Sequence, residues 1–391
     1  MPAALREAVG GHPLVAEALA RRGILTAQQA RAFLDPAVHT PAPAQALPGL
    51  DEAVQRLAQA ARAHETVLVW GDFDVDGLAA TAILEENLAP LGLRVRRHVP
   101  GRGEGHGVHL ETLRRLLFQE PAQVLLTCDT GISAAVPAAY ARGVGVDVVI
   151  TDHHALPAEL PAARAIVNPC FLPDDHPLRT VPGAGCAYLV ATAVAAELGA
   201  GDASRSLDLL ALAIVADVAT QQGDVRYYLQ RGLQALRANG RLGMAALLEV
   251  AGLSAEGLDE QHLGYSLGPR LNALGRLSDA AAGVELFLTQ DLTRARTIAA
   301  EMEGLNSRRQ LLTGQVLQAA REQIERDAAL RGAPILIVGH ATWPGGIVGL
   351  VAGRLAERYG RPALVLTTPP DGLVRGSARS VPGIDIAAAI A

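Results

Sequence analysis

The chain has 391 residues, half of them hydrophobic and 19% charged, and its 34 basic and 40 acidic residues leave a formal charge of −6. That length allows two or three domains, and the composition excludes a disordered tail or a polycation that coats nucleic acid by bulk charge. Every basic residue is Arg, and with no Lys in the chain, Schiff-base chemistry and a Walker-type phosphate loop are excluded. Residues 1–45 read as short helices leading into a Pro-rich stretch, an N-terminal helical extension. A helix over 50–64 follows. Apolar strands are predicted at 66–70, 94–99, 124–127, 146–151 and 165–167, with helical segments between them. Strands alternating with helices predict an α/β fold with a parallel sheet covered on both faces, whose ligands bind at the carboxyl ends of the strands. From Gly183 the pattern becomes helical, with buried helices at 184–198 and 206–218 and further helices to about 251. Residues 292–326 keep helical periodicity without Pro and can span about 50 Å at ~1.5 Å per residue, the length of a connector between domains. A second, smaller α/β unit begins at Pro334, with strands at 335–338 and 363–366 and a helix at 347–359. The expected division is 1–45, 46–225, 226–333 and 334–391.

Cys128, Cys170 and Cys186 have no CxxC spacing, so neither a disulfide framework nor a thiolate zinc site is expected, and the cytoplasm is the expected compartment. No apolar run reaches 18 residues, no secretory leader is expected, and no membrane association is predicted. With 3% aromatic residues, long base-stacking platforms are not expected.

Four segments place acidic or imidazole groups just after apolar stretches. Val67-Leu-Val-Trp-Gly-Asp-Phe-Asp-Val-Asp-Gly77 carries Asp72, Asp74 and Asp76, whose alternation lets them converge on one side of an extended turn. A helix cap needs one Asp, and three this close repel unless cations lie between them. Leu126-Thr-Cys-Asp-Thr-Gly131 carries Asp129, and Val149-Ile-Thr-Asp-His-His154 carries Asp152, His153 and His154. Ile214-Val-Ala-Asp217 puts Asp217 in an apolar helix, where an unpartnered carboxylate costs several kcal/mol. Carboxylates with one or two imidazoles and no thiolate favour a hard or borderline cation, Mn²⁺ or Mg²⁺. A cluster of this size can hold two ions about 3.5–4 Å apart, the arrangement that activates water and clamps a phosphoryl group. The residues alone therefore predict a two-metal phosphohydrolase.

The four segments, in this order and spacing, resemble the motifs of the DHH phosphoesterase superfamily. Gly268-Pro-Arg-Leu-Asn-Ala-Leu-Gly-Arg276, Leu305-Asn-Ser-Arg-Arg309, residues 343–355 and Gly376-Ser-Ala-Arg-Ser380 are similar to segments of its RecJ family of bacterial single-strand-specific exonucleases. The resemblance covers roughly 45–390. It implies a parallel-sheet DHH domain and a smaller α/β DHHA1 domain joined by a long helix. It also implies that Asp74, Asp76, Asp129, His153 and Asp217 bind metal, with Asp72 beside them, Asp129 bridging, His154 facing the scissile phosphate and Asp152 orienting a histidine. Which of Asp72 and His154 is a direct ligand stays open. The chain departs from the family at Trp343-Pro-Gly-Gly346, where relatives read Trp-His-Pro-Gly. Its Pro-Gly-Arg-Gly-Glu-Gly-His-Gly segment at 100–107 is shorter than the usual Arg…Glu-Gly-Tyr-Gly loop. No Gly-Gly-His segment follows Ser380, and the expectation is a core truncated at its C-terminus.

Residues 226–391 hold 18 Arg and 15 acidic residues, so the acidic excess lies in the first 225. Candidate phosphate contacts are Arg270, Asn272 and Arg276 around a Gly/Pro loop, Arg308 and Arg309 on the long helix, and Ser377, Arg379 and Ser380 in a tight turn. Trp343 is expected to pack rather than to stack on a base. The implied activity is 5′-to-3′ degradation of single-stranded DNA to 5′-mononucleotides in recombination and repair. A monomer is expected, with single-strand-binding protein and a helicase as candidate partners. The alternatives are an oligoribonuclease, a nucleotide phosphatase, a cyclic-dinucleotide phosphodiesterase or a non-catalytic scaffold.

Overall fold

A computed structural model describes residues 3–101, 104–238, 240–368 and 372–390, so Arg102 and Gly103 of the 100–107 loop lie outside it. The chain divides into two compact units. One is Met1–Gly275 with Asp279–Ala300, and the other is Arg276–Ser278 with Glu301–Ala391.

In the first unit, five parallel strands form one sheet: β1 (Thr66–Trp70), β2 (Arg94–His98), β3 (Val124–Cys128), β4 (Asp147–Thr151) and β5 (Ala165–Val167), in the order β2-β1-β3-β4-β5. The inner strands read as unbroken apolar runs because both faces are covered. Leu68, Trp70, Leu125, Val148 and Ile150 pack with Leu113, Leu117, Ala138 and Ala141 on one face. Val67, Val69, Leu126 and Val149 are equally buried on the other, beneath the helices Val75–Leu88 and Gly183–Glu197. Those two helices and Leu207–Ala216 are apolar almost all round, as interior helices must be. The edge strand β2 is polar instead, and its Arg96 and Arg97 pair with Glu120 and Glu85, which blunts an open edge. The chain leaves β1 toward β2 on one side and returns to β3 on the other. The crevice between the ends of β1 and β3 is therefore the switch point where such sheets bind ligands. The N-terminal helices gather around Leu5, Ala16, Leu19 and Ala30. They are tied to the helix Gly223–Arg237 by the Arg226 Nε–H bond to Phe33 O (3.0 Å) and by His39 on Asp224 (2.7 Å).

In the second unit, β6 (Leu336–Gly339) and β7 (Ala363–Thr367) are parallel, and β8 (Arg375–Arg379) is antiparallel to β7. The helix Gly345–Tyr359 and the later turns of Leu292–Arg326 cover one face, giving a core of Trp343, Ile347, Val351, Leu355, Val316 and Ile324. Trp343 packs, as expected, and its carbonyl accepts from Thr367 Oγ1 (2.7 Å).

Two local expectations are corrected. The segment at 376–379 is an extended edge strand rather than a tight turn, because its residues pair in register with 363–366. Arg270 and Arg276 do not flank a Gly/Pro loop: Gly268–Leu277 is a helix that continues from a π-helical turn at Leu263–Leu267, and Pro269 lies just past that turn. Among the described residues no helix is long and apolar enough to cross a membrane.

Candidate metal centre

The acidic groups meet where β1, β3 and β4 end. Past β1, Asp74 does cap the helix Val75–Leu88, its Oδ1 accepting from the N–H of Asp76 (3.0 Å) and Gly77 (3.1 Å). Capping engages one oxygen of one carboxylate, and the other two Asp of the segment do different work. Asp76 is buried. Its oxygens accept the first two N–H groups of Gly183–Glu197, from Gly183 (2.7 Å) and Ala184 (2.8 Å), so a helix N-terminus lies against a negative site. Asp72 Oδ1 accepts from Phe73 N–H, and its Oδ2 lies 2.8 Å from His106 Nδ1.

Past β3, Asp129 sits at φ +58°, a left-handed conformation that Asp tolerates better than most residues. Its Oδ1 is fully buried and makes no hydrogen bond, although His153 Nε2 lies 3.1 Å away. Past β4, Asp152 takes the N–H of His153 (2.7 Å) and His154 (3.1 Å) and the ring Nδ1 of His154 (2.7 Å) on Oδ1, and Ile132 N–H (2.9 Å) on Oδ2. Asp152 is thus saturated by the protein and orients His154. His153 is the hub of the cluster, with Nε2 at 3.1 Å from Asp129 and 3.6 Å from Asp76, and Nδ1 at 3.8 Å from Asp217. Asp217 follows the last turn of Leu207–Ala216, and its side chain is 31% exposed rather than buried in an apolar helix. The reason is that the helix stops one residue earlier, with Val218 turning left-handed at φ +56°.

Three sets of donor atoms each converge within 4.8 Å: Asp76, His153 and Asp217; Asp72, Asp74 and Asp129; Asp129, His153 and His154. Asp129 and His153 each belong to two of them. The electrostatics agree with a site built for cations. Burial, then the charges of Asp217 and Asp74, push Asp76 up to about 8 against the pull of the two helix N–H groups. Burial and neighbouring carboxylates, Asp76 foremost, raise Asp129 well above the usual range, and burial and Asp74 raise Asp217. Burial lowers His153, favouring the neutral, ligating imidazole. The Asp152 hydrogen bond outweighs burial at His154 and lifts it to about 9, so this ring is cationic at neutral pH. Burial lifts the Cys128 thiol to about 12 and raises Cys186, which removes both thiols as donors. An orphaned buried oxygen among mutually repelling carboxylates, with oxygen and imidazole donors only, fits a hard or borderline divalent metal.

A sequence profile of the DHH family, N-terminal domain, matches residues 66–214. The Bacillus subtilis (strain 168) single-stranded-DNA-specific exonuclease RecJ is 35% identical over 379 residues, covering 96% of this chain and 47% of that protein. Among solved structures, RecJ from Thermus thermophilus in complex with Mn²⁺ superposes with a TM-score of 0.83 at 30% identity, over 98% of this chain and 54% of that one. An exonuclease RecJ bound to manganese superposes at 0.78 with 32% identity, over 88% of this chain and 85% of the other. The chain belongs to the RecJ family. It spans about half the length of the Bacillus and Thermus relatives. Both RecJ structures carry manganese, the ion type that the donor set here fits.

The candidate phosphate contacts fall in both units. Arg270 donates to Ser266 O (2.8 Å) and Oγ (3.0 Å), and Asn272 is half-buried on the same helix. Arg276 belongs to the second unit, where it donates to Gly346 O (3.1 Å). Arg309 reaches Asn306 (2.9 Å), and Arg308 is exposed. The structure brings Ser377 and Arg379 together (3.1 Å) beside Gly349, where a Cβ would lie 3.1 Å from the Ser377 hydroxyl. Ser380 is tied to Ile384 O (2.6 Å). Sequence reasoning missed the Gly183 and Ala184 amides and the ring of His106. The signal for His106 was there, since it follows a parallel strand as the other site residues do.

Proposed function

We propose that this chain is the catalytic core of a metal-dependent, single-strand-specific DNA exonuclease that works 5′ to 3′ and releases 5′-mononucleotides in recombination and repair. The observation that carries the reading is Asp129, which belongs to two converging donor sets and has a buried oxygen that makes no hydrogen bond. In this reading Asp72, Asp74, Asp76, Asp129, His153 and Asp217 hold two Mn²⁺ or Mg²⁺ ions, with Asp129 shared between them. The ions, when bound, supply an acidic water as nucleophile and neutralise charge on the phosphodiester. The amides of Gly183 and Ala184 hold Asp76 in place, and Asp152 fixes the orientation and charge of His154. His154 then donates a charged hydrogen bond to a phosphoryl oxygen as negative charge builds there. Ser377 and Arg379 supply a hydroxyl and a guanidinium for a strand phosphate, with Arg270, Asn272, Arg276, Arg308, Arg309 and Ser380 as further candidate contacts. The enzyme acts as a cytoplasmic monomer, with single-strand-binding protein and a helicase as its partners. The names of the relatives support the substrate.

The test compares a 5′-labelled long single strand, the matching duplex and a dinucleotide, each with Mn²⁺. Labelled mononucleotide released from the single strand alone is the expected outcome. Preferential cleavage of the dinucleotide would move the chain to the small-substrate DHH hydrolases. Metal binding without hydrolysis would make it a scaffold.

A further inference from the structure

The N-terminal helices, to which the exonuclease reading assigns no task, form one side of a cavity of about 300 Å³, and the start of the helix Gly223–Arg237 forms the other. Among the described residues its walls carry two guanidinium groups (Arg22 and Arg226), one imidazole (His39), two carboxamides (Gln29 and Gln222) and no carboxylate. Ile24 and Phe33 supply an apolar side.

Contacts within the protein hold these groups and leave donor capacity over. Arg226 donates Nε–H to Phe33 O (3.0 Å), lies over the Phe33 ring at 4.2 Å from its centroid and keeps Nη1 3.7 Å from Glu260, beyond hydrogen-bond reach. Gln29 accepts two backbone N–H groups on Oε1, from Leu25 (3.1 Å) and Thr26 (3.1 Å), which leaves its NH₂ to donate. Buried Asp224 is already committed: one oxygen lies 2.7 Å from His39 Nε2, and the other accepts from Ala42 N–H (2.9 Å). Arg22 is exposed, and among the described residues it pairs with no carboxylate. Burial lowers Arg226 from its usual value, and the charge of Arg22 adds to the lowering against the pull of Glu260.

Two guanidiniums in a cavity whose walls hold no carboxylate are matched by a dianion, and their forks suit the oxygens of a phosphate. Inorganic phosphate would leave the apolar side unused, and a cavity at the lower end of the ligand-pocket range holds one small molecule rather than a strand. We propose that this cavity binds a nucleotide-sized phosphomonoester, a nucleoside 5′-monophosphate, with Arg22 and Arg226 on the phosphate and the side of Ile24 and Phe33 on the base. Gln222 follows Asp217 by five residues, a path of at most about 18 Å, so the site neighbours the metal cluster and shares no residue with it. On the exonuclease reading such molecules are the product of the reaction; the binding itself does not depend on that reading.

The test is calorimetry on chelator-treated protein with 2′-deoxyadenosine 5′-monophosphate, inorganic phosphate and deoxyadenosine as probes. The nucleotide should bind at least about ten-fold more tightly than either fragment. Arg22→Ala should weaken nucleotide binding about ten-fold and Arg22→Lys, which keeps the charge and loses the fork, about three-fold, with thermal unfolding as in wild type. His154→Gln, which alters the metal cluster, should leave the nucleotide affinity within about two-fold. No saturable nucleotide binding, an Arg22→Ala affinity equal to wild type, loss of binding in His154→Gln, or phosphate binding as tightly as the nucleotide would each overturn the assignment. A chain that binds the nucleotide in this way and leaves a labelled single strand intact with Mn²⁺ would instead overturn the exonuclease reading and leave this site standing.

Discussion

Replacing Asp129 with Asn should stabilise the metal-free protein and destroy its metal site. The side chain is buried, one oxygen has no hydrogen-bond partner, and Asp76, Asp74, Asp72 and Asp152 all oppose its charge. Without metal, burial and these charges therefore oppose its ionisation and raise it well above the usual carboxylate range. Each pH unit between the ordinary value of 3.8 and the raised folded value then costs up to ~1.4 kcal/mol of folding stability. The sign follows directly. A raised carboxyl leaves stability intact below its ordinary value, and stability is lost as pH climbs toward the raised folded value. Asn has nearly the same shape, tolerates the left-handed backbone at φ +58° and carries no such cost. Leaving its amide imperfectly bonded returns roughly 1–3 kcal/mol, so the Asn variant should become the more stable form once pH has risen about two units above 3.8. The gain should vanish at about pH 4.5–6 and grow by up to ~1.4 kcal/mol per unit above that until the raised folded value is reached. Saturating Mn²⁺ should cut or reverse the difference, because ligand at a hundred times Kd adds about 2.7 kcal/mol to wild type alone. Urea unfolding of chelator-treated protein at pH 5, 7 and 8, repeated with Mn²⁺, measures each quantity. A metal-free Asn variant less stable than wild type at pH 8, or a gain independent of pH, would refute the charge-crowding argument.

Asp152→Asn should replace the charged acceptor that lifts His154 to about 9 by a neutral one, so that burial lowers the ring; hydrolysis rates against pH should then match wild type near pH 6 and fall well below it by pH 8.5. Gly183→Ala would put a Cβ 2.5 Å from Cβ and Oδ1 of Asp129 and 2.8 Å from its Cα, so it should cost about 1–3 kcal/mol in thermal unfolding and weaken Mn²⁺ binding measured by calorimetry. Arg379→Ala should leave Mn²⁺ affinity unchanged and reduce the preference for a 5′-phosphorylated over a 5′-hydroxyl strand about ten-fold in competition binding, through loss of one guanidinium–phosphate contact.

The inner strands were legible because burial on both faces leaves them no choice but unbroken apolar sequence, as in Val67–Trp70 and Val148–Thr151. Long helices were legible for a related reason: 292–326 has neither Pro nor a stop signal, and the helix runs Leu292–Arg326. Edge elements were harder. Strand β8 reads Arg-Gly-Ser-Ala-Arg, a composition of turns, and it is extended only because β7 offers it an antiparallel ladder. The helix Gly268–Leu277 contains Gly-Pro and so read as a loop, although it continues from the π-helical turn Leu263–Leu267, a wider turn that carries the chain through Pro269.

The site divides in the same way, and the division has a physical cause. Asp72, Asp74, Asp76, Asp129 and His153 could be picked out because each follows an apolar strand, and strand ends in a parallel sheet face one crevice. The groups that decide how those side chains behave are backbone atoms and turns. Gly183 and Ala184 act through N–H groups aimed by a helix N-terminus 107 and 108 residues from Asp76. No residue type is required to donate a backbone N–H, so Gly183 leaves a trace only because its missing Cβ makes room for Asp129. Asp217 is similar: its identity was visible, but its exposure depends on Val218 ending the helix in a conformation that Val disfavours. A β-branched residue held left-handed beside a candidate ligand marks strain located where the site is made. The carboxylates, which repel one another, are therefore held in place by geometry the chain carries elsewhere, and it is that geometry which makes cations the cheapest way to satisfy the cluster.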